Sequence, residues 1–361
     1  MNNNVYSIIV GSGSYIPTVI VENQDFLNNE FFTPDGIRLK RSNLEIIQQF
    51  EKITGIRQRR YVNSDLVASD IASYAAKDAL ASAQIDGETL DYIIVAHNFG
   101  DVRDDNPRSD FVPSLASRIK HQLNIKNPNV ITYDLCLGCS GWLQGIIQAD
   151  LYIKSGLAHR ILVIGTETLS RMIDPHDRDS MIFSDGAGAV VVASTESTVP
   201  VGIIAQTAQS YASELAYLLK MEKSSNPDYG SNRLFVKMQG HKLYESVLKI
   251  FPGLIKDCIS KAGLSITDID QVLVHQANNK LDEAILKQLF ALYGINQVPD
   301  LVMPMTISWL GNSSVATIPT LYNLLSEDRI ENYTLQPDSF IVFAAVGAGL
   351  NANAIVYKVP R

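Results

Sequence analysis

The sequence predicts an α/β fold built from two similar halves. Short apolar runs alternate with helical patterns along all 361 residues, which is typical of sheets flanked by helices. The runs are almost continuously apolar, so both faces of each sheet should be covered. Two pairs of segments also repeat: residues 78–96 align without a gap with residues 257–275, and LGCS at 137–140 matches LGNS at 310–313.

The predicted strands are rich in valine and isoleucine, as expected for buried strands. In the first half they cover residues 7–10, 92–95, 130–133, 161–164 and 189–192. In the second half they cover residues 202–205, 272–274, 340–344 and 354–358. A polar stretch at 196–200 separates these groups, which predicts one unit over 1–196 and a second over 197–361.

The predicted helices lie between these strands and show apolar residues at three- and four-residue spacing. They cover residues 65–84, 112–124, 141–156, 242–262, 279–293 and 314–326. Pro252 lies inside the fourth pattern, and proline removes a helical hydrogen-bond donor. We therefore expect that helix to kink or restart at Pro252.

Composition excludes several classes of protein. A formal net charge of −8 argues against nucleic-acid binding, which needs a basic surface. No apolar run approaches the ~20 residues of a membrane-spanning helix, and the first residues lack the basic region of a secretory signal. Three cysteines in a long chain are typical of a reducing compartment. The sequence therefore predicts a cytoplasmic protein that binds neither nucleic acid nor membranes.

Cys139 is the strongest candidate nucleophile. It follows an apolar run and begins a helical one, and a helix N-terminus lowers the pKa of a thiol and favours the thiolate. Gly138 and Gly141 would leave room for a substrate beside it. A buried structural cysteine is the second interpretation. A redox or zinc-binding pair with Cys136 ranks third, because no second cysteine pair completes a zinc site.

His275 and Asn312 are candidate partners of this thiol. His275 ends an apolar strand, where ligands bind in α/β sheets, although many such histidines are structural. Asn312 holds the place of Cys139 in the second LGxS copy, so two halves related by a pseudo-twofold axis would bring both to one cleft. Together the two side chains could donate to a developing oxyanion, or Asn312 could simply cap the following helix.

These residues belong to a series of motifs that resembles the thiolase-like superfamily, most closely β-ketoacyl-acyl-carrier-protein synthase III. The resemblance covers nearly the whole chain. Its motifs are TGIR at 54–57, Asp134 with CSG at 139–141, DPHDR at 174–178, FSDGAGA at 183–189, HQAN at 275–278 and GNSS at 311–314. The resemblance implies a five-layer αβαβα fold made from two halves, and a homodimer.

The resemblance also implies a reaction. Cys139 takes an acyl group from a thioester, and the carbonyl oxygen of that group lies between the backbone amides of Cys139 and Ala348. His275 and Asn312 then hold a malonyl-type thioester, which loses CO2 and attacks the acyl carbon to give a β-ketoacyl thioester. The substrates are thioesters of coenzyme A or of an acyl carrier protein, and no cofactor or metal takes part.

Several positions depart from the family pattern. Gln49 replaces a tryptophan that stacks on the coenzyme A adenine, and Lys280 replaces an arginine that binds phosphates or the carrier. An insertion at 99–110 precedes Phe111, on a loop that reaches the partner's acyl pocket in the family. We expect substrate contacts from five residues: Phe111, Asn278, Lys280, Gly347 and Gly349.

These departures keep two alternative functions open. One is a specialised-pathway ketosynthase that joins two longer acyl units, as in dialkylresorcinol formation. The other is an acyltransferase to an alcohol or amine that performs no condensation. A hydroxymethylglutaryl-type synthase would need a glutamate base near the nucleophile, and the upstream candidate, Glu88, lies before a strand without a supporting motif.

A carrier protein as partner would need a basic surface on this acidic chain. Lys242, Lys249 and Lys256 recur every seven residues along one helical stretch and could form one. An ordinary solvated helix face explains the same pattern equally well.

Overall fold

The computed structural model describes residues 4–361, in which strands and helices alternate. The strands are β1 (Asn4–Tyr15), β2 (Val19–Glu22), β3 (Gln58–Tyr61), β4 (Tyr92–Ala96), β5 (Asp101–Val102), β6 (Ser109–Asp110), β7 (Ile131–Leu135), β8 (Arg160–Thr168), β9 (Asp185–Ser197), β10 (Gly202–Ser210), β11 (Leu219–Glu222), β12 (Phe235–Met238), β13 (Gln271–Val274), β14 (Phe340–Gly347) and β15 (Asn351–Lys358). The helices are α1 (Asn43–Thr54), α2 (Ala68–Ala83), α3 (Leu115–Gln122), α4 (Gly141–Lys154), α5 (Ala212–Leu215), α6 (Gly240–Lys261), α7 (Asn279–Ala291), α8 (Ile307–Leu310) and α9 (Thr317–Ser326). Every strand and helix predicted from the sequence overlaps one of these elements.

Two main sheets carry the repeat that the sequence shows. The first has the strand order β1-β9-β8-β4-β7 and the second the order β10-β15-β14-β13. In each sheet the first three strands pair antiparallel and the next joins in parallel. The two aligned segments, 78–96 and 257–275, run in corresponding order through a helix end, a short turn and a parallel strand, β4 or β13. The internal repeat is therefore confirmed in three dimensions.

Helices cover both faces of each sheet and bury its apolar side chains. α2 and α3 pack on the outer face of the first sheet through residues such as Ile71 and Ile119. α6 and α7 pack on the outer face of the second sheet. α4 and α9 lie between the sheets, where Trp142, Leu321 and Phe343 share one core. The predicted five-layer αβαβα fold is thus confirmed.

α6 runs unbroken from Gly240 to Lys261 with Pro252 inside it, so the predicted restart is wrong. Val247, Phe251 and Ile255 on this helix are almost fully buried against the second sheet. Tertiary packing of this apolar face offsets the hydrogen bond that proline removes. None of the described helices is long and apolar enough to cross a membrane.

Candidate active site

Cys139, His275 and Asn312 line one cavity of about 70 Å³. They come from different elements: Cys139 follows β7, His275 follows β13 and Asn312 follows α8. Most of the remaining wall is apolar, from α6, α7 and neighbouring loops. An apolar wall strengthens the hydrogen bonds and charge interactions that these three side chains make with a bound molecule.

Cys139 sits in a helical turn, Gly138–Ser140, that leads into α4. The hydroxyl of Ser314 donates a hydrogen bond to its sulfur at 3.2 Å. Burial raises the pKa of the Cys139 thiol, and the Ser314 hydrogen bond opposes this rise. The pKa of this thiol is therefore raised and not lowered as the sequence predicts, because burial is the largest influence on it.

Two glycine-containing loops meet at the backbone of Cys139. A Cβ atom on Gly347 would lie 2.5 Å from the Cys139 amide nitrogen, and one on Gly138 would lie 2.8 Å from the Ala348 amide nitrogen. Gly138 also has a φ of +70°, which disfavours other residues. The glycines therefore let the two backbones touch. They do not leave room for a substrate, because protein atoms also fill the space beside Gly141.

Asn312 is held by the first half of the chain. Its amide donates to the Ile182 carbonyl at 2.9 Å, and its own carbonyl accepts from the Ser184 amide at 2.8 Å. Its side-chain Oδ1 accepts a hydrogen bond from the Ser314 amide at 2.8 Å. Because Oδ1 is engaged, the Nδ2 donor is free to face the cavity. Asn312 thus stabilises its own turn and also presents a donor.

His275 is buried at the end of β13, where its amide donates to the Ala344 carbonyl at 2.9 Å. Burial lowers the pKa of His275 to about 4, while nearby Asp282 and the Ser314 backbone oppose this change. The imidazole is therefore neutral at neutral pH. A neutral imidazole donates from one ring nitrogen and accepts at the other.

A chain of polar side chains reaches the nucleophile from the first half. Asn98 donates through Nδ2 to the Ser314 hydroxyl at 3.1 Å and also to the carboxyl of Glu167. Glu167 lies near the end of β8, and burial raises its pKa well above the usual value. Sequence reasoning missed Glu167 and Ser314 as neighbours of Cys139. The available signal for Glu167 was its position three residues after the predicted strand 161–164.

Glu88, the glutamate that the sequence analysis considered, has a structural role. Its carboxyl oxygens accept hydrogen bonds from the amides of Lys126 and Asn127 at 2.8 and 2.7 Å. It belongs to a surface loop and does not line the cavity of Cys139.

The three cysteines lie in different surroundings. All are free, and Cys136 is exposed and lines a separate cavity from Cys139. Cys258 is buried in α6, where its thiol donates to the Ala354 carbonyl at 3.3 Å and burial raises its pKa to about 12. A redox pair of Cys136 and Cys139 gains no support from this arrangement.

The expected substrate-contact residues divide into two groups. Gly347 and Gly349 line the cavity, whereas Phe111, Asn278 and Lys280 do not. Asn278 instead caps α7 by accepting a hydrogen bond from the Leu281 amide at 3.2 Å. Lys280 is exposed in the first turn of the same helix.

Phe111 directly follows the insertion at 99–110, which forms a small hairpin of β5 and β6. Its ring is partly exposed and packs 5.8 Å from the ring of His97. His97 is fully buried and contacts Asp134 at 3.1 Å, so it supports the loop that precedes Cys139. The neighbouring Val112 is 85% exposed, so two adjacent apolar side chains are exposed just after the hairpin.

Cys139 lies where two cavities meet. Cys139 also lines a second cavity of about 160 Å³, together with Phe99, Leu169 and Met221 among others. The first cavity shares Leu218 and Met238 with a surface basin of about 1000 Å³, and the second shares Lys220 and Met221 with it. Both cavities at Cys139 therefore border the same surface basin.

A five-layer αβαβα fold of two repeated halves, with a cysteine, a histidine and an asparagine on one cavity between them, is the arrangement of the thiolase-like class. Residues 133–211 match the family model of 3-oxoacyl-[acyl-carrier-protein] synthase III, and residues 259–359 match the model of its C-terminal part. The chain belongs to the 3-oxoacyl-[acyl-carrier-protein] synthase III family.

Relatives match over nearly their full lengths. A β-ketoacyl-[acyl-carrier-protein] synthase III of Vibrio vulnificus is 32% identical, over 98% of this chain and all of the relative. One of Methylococcus capsulatus is 30% identical over 95% and 96% of the two chains. The crystal structure of 3-oxoacyl-[acyl-carrier-protein] synthase III from Aquifex aeolicus superposes with a TM-score of 0.76 at 28% identity, covering 98% and 99% of the chains.

Proposed function

We propose that this chain condenses an acyl group held on Cys139 with a malonyl-type thioester, giving a β-ketoacyl thioester. The observation that carries the proposal is the single cavity shared by Cys139, His275 and Asn312. Membership of the 3-oxoacyl-[acyl-carrier-protein] synthase III family supports the same reaction. Following the names of its relatives, we infer that the extending substrate is carried by acyl carrier protein.

The first half-reaction is transfer of an acyl group to Cys139. The Cys139 thiol gives up its proton and its thiolate attacks the thioester carbonyl. The C–S bond to the carrier then breaks, and the departing carrier thiolate takes up one proton and leaves as a thiol. The Ser314 hydroxyl stabilises the thiolate before attack. The backbone amides of Cys139 and Ala348, which the glycine contacts bring together, are placed to hold the oxyanion.

The second half-reaction is decarboxylative condensation. His275 and the Nδ2 of Asn312 donate hydrogen bonds to the thioester carbonyl of the malonyl group. The bond to the carboxylate breaks, CO2 leaves, and its electron pair forms an enolate on that carbonyl. The enolate carbon attacks the acyl carbon, and the sulfur of Cys139 departs. Thiol, imidazole and amide donors supply every step, so no cofactor is required.

Condensation explains this site better than simple acyl transfer. Transfer needs one set of oxyanion donors, whereas our proposal assigns two: the backbone amides of Cys139 and Ala348, whose loops touch, and the side chains of His275 and Asn312. The matched relatives are synthases of the acyl-carrier-protein type, which does not favour the specialised-pathway or acyltransferase alternatives.

A surface basin at the mouth of the cavity favours an anionic carrier. Its lining has more cationic than acidic side chains, although three of the cations are paired: Lys237 with Asp174 and Asp177, Arg178 with Asp179, and Lys220 with Glu222. Lys223 and Lys242 are the cations of this lining that stand outside these pairs in the described structure. Phosphate groups and acidic carriers are attracted to such a surface. Of the three α6 lysines, Lys256 is engaged with the Leu292 carbonyl at 2.8 Å, which leaves Lys242 and Lys249 for docking.

We also propose a homodimer in a reducing compartment, the cytoplasm. β7 forms one edge of its sheet and exposes Ile131, and Phe111 and Val112, just after the insertion, are exposed as well. An unpaired edge strand beside exposed apolar residues is suited to pairing with a second copy. The three free thiols, including the proposed nucleophile, must remain reduced.

Intact-mass measurement tests the acylation step. Mixing the full chain with an acyl thioester should add one acyl group, and Cys139→Ala should abolish the addition. Cys136→Ala and Cys258→Ala serve as matched controls and should still be acylated. Labelling that persists in Cys139→Ala would contradict the assignment.

A further inference from the structure

The cavity wall contains a carboxyl group that the proposed reaction does not use. Asp282, in the first turn of α7, is 1% exposed and lines the same cavity as Cys139, His275 and Asn312. Neither of its carboxyl oxygens has a hydrogen-bond partner within residues 4–361. Most of the surrounding wall is apolar, so a charged carboxylate is costly there and the unpartnered acid calls for an explanation.

One other polar group of this wall is also unpartnered. The Nδ1 atom of His275 is buried and makes no hydrogen bond to any described residue. Among the described residues that line the cavity, His275 and Asp282 are the two with such buried, unpartnered side-chain atoms. Each also affects the pKa of the other, which places them within electrostatic range.

The protonation states of the two groups are complementary. Burial raises the pKa of Asp282 to about 8. His275 and the backbone of Asn278 and Ala277 oppose this rise, although neither backbone group makes a hydrogen bond with the carboxyl. Burial lowers the pKa of His275 to about 4. At neutral pH the carboxyl of Asp282 is thus a protonated donor on the same cavity wall as a neutral imidazole, whose Nδ1 is an acceptor when Nε2 carries the proton.

We propose that Asp282 is a positioning residue for His275: its carboxyl O–H donates to Nδ1 and so keeps the proton on Nε2. A rotation of Asp282 or one bridging water completes the contact, and a cavity of about 70 Å³ has room for that water. The inference rests on the proposed function, in which Nε2–H is the donor to the malonyl carbonyl. Asp282 itself exchanges no proton with the substrate.

Ionised Asp282 would have the opposite effect. A carboxylate accepts a hydrogen bond from Nδ1–H, which leaves a lone pair on Nε2 where the reaction needs a donor.

Other titratable groups near Asp282 are Cys139, which is a thioester during condensation, and Glu283, which is exposed on the same helix. α6 contributes apolar side chains, Leu243, Val247 and Phe251, to this wall.

The test follows condensation alone, with enzyme that is already acylated on Cys139. Malonyl-coenzyme A is added, and the rate of CO2 release is measured from about pH 6 to about pH 9.5. In the wild type we expect the rate to fall above about pH 8, by roughly tenfold for each further pH unit. Asp282→Asn keeps a donor but does not titrate, so this alkaline loss should disappear. Glu283→Gln, which removes the adjacent exposed carboxyl, should retain it.

Asp282→Leu removes the donor at every pH. We expect kcat for CO2 release to fall by about tenfold to a hundredfold, with KM for malonyl-coenzyme A changed by less than about twofold. An Asp282→Asn enzyme that keeps the wild-type alkaline loss would overturn the inference, and this comparison stands even if Asp282→Leu does not fold. A wild type that becomes acylated but releases no CO2 at any pH would contradict the proposed function instead.

Discussion

The hydroxyl of Ser314, in the second half of the chain, donates a hydrogen bond of 3.2 Å to the sulfur of Cys139 in the first half. The amide of the same serine holds the side chain of Asn312 at 2.8 Å. One residue therefore connects the proposed nucleophile with a proposed donor to the second substrate. If the proposed function holds, changing this serine should therefore affect both half-reactions.

Ser314→Ala should slow acylation of Cys139. A hydrogen bond to a charged group contributes about 1.5–3 kcal/mol, so the thiol pKa should rise and the rate should fall by roughly tenfold to a hundredfold. The measurement is the pH dependence of Cys139 alkylation by iodoacetamide, together with kcat/KM for acyl transfer. Ser313→Ala, at the preceding residue, is the matched control and should change neither. An unchanged thiol pKa in Ser314→Ala would remove Ser314 from the mechanism.

Glu167 should act as a hydrogen-bond acceptor that orients Asn98. Glu167→Gln keeps an acceptor oxygen for the Asn98 amide, so acylation should stay within about tenfold of the wild type. Glu167→Leu removes the acceptor and should resemble Ser314→Ala. Stopped-flow acylation rates compare the two variants. Equal, complete loss in both would show that Glu167 transfers a proton, as in the hydroxymethylglutaryl-type alternative.

Gly347→Ala should abolish acylation. The added Cβ would lie 2.5 Å from the amide nitrogen of Cys139 and would force the two loops apart. Loss of one oxyanion donor typically lowers kcat by about 10²–10³-fold. Gly253→Ala is the control, since nothing lies within 4 Å of a Cβ at that position. Acyl transfer by Gly347→Ala at the control's rate would show that these amides do not hold the oxyanion.

His275 should remain neutral well below the usual range of histidine. Because burial lowers its pKa to about 4, its ring signal should not shift between about pH 7 and about pH 5 and should move only as the pH falls through about 4. Histidine-labelled NMR measures this, and His275→Asn assigns the signal. A midpoint near the unperturbed value of about 6.5 would mean that solvent reaches the imidazole.

Lys242→Glu combined with Lys249→Glu should weaken use of a protein carrier. Both side chains are exposed on α6, so reversing them should repel an acidic partner and lower kcat/KM for malonyl-acyl-carrier protein, most strongly at low salt. The same variant should use malonyl-pantetheine, which lacks the carrier, at the wild-type rate. Unchanged carrier-dependent turnover would place docking elsewhere.

Much of the fold could be predicted because its signals are local. Runs of neighbouring residues show the apolar strands and the helical spacing, and a direct comparison of 78–96 with 257–275 shows the repeat. The structure confirms all three. Pro252 shows the limit of such signals. Its effect on α6 is decided by the sheet beneath the helix, which the local sequence does not describe.

The site was predicted in part for the same reason. Cys139, His275 and Asn312 stand in motifs at the ends of elements, so their meeting follows from the repeat. Three further site residues, Ser314, Glu167 and Asp282, were not found in this way. Ser314 contacts Cys139 from a distant segment, and burial raises the pKa values of Glu167 and Asp282. The pKa of Cys139 was mispredicted because a helix N-terminus is visible in the sequence, whereas desolvation is not.

The most direct measurement follows the fate of one acyl group. Enzyme carrying an acyl group on Cys139 is mixed with malonyl thioester, and acyl-enzyme, CO2 and product mass are quantified together. We predict that each acyl group lost from Cys139 yields one CO2 and one β-ketoacyl thioester. Loss of the acyl group without CO2 release, with the acyl chain recovered on another acceptor, would contradict the account.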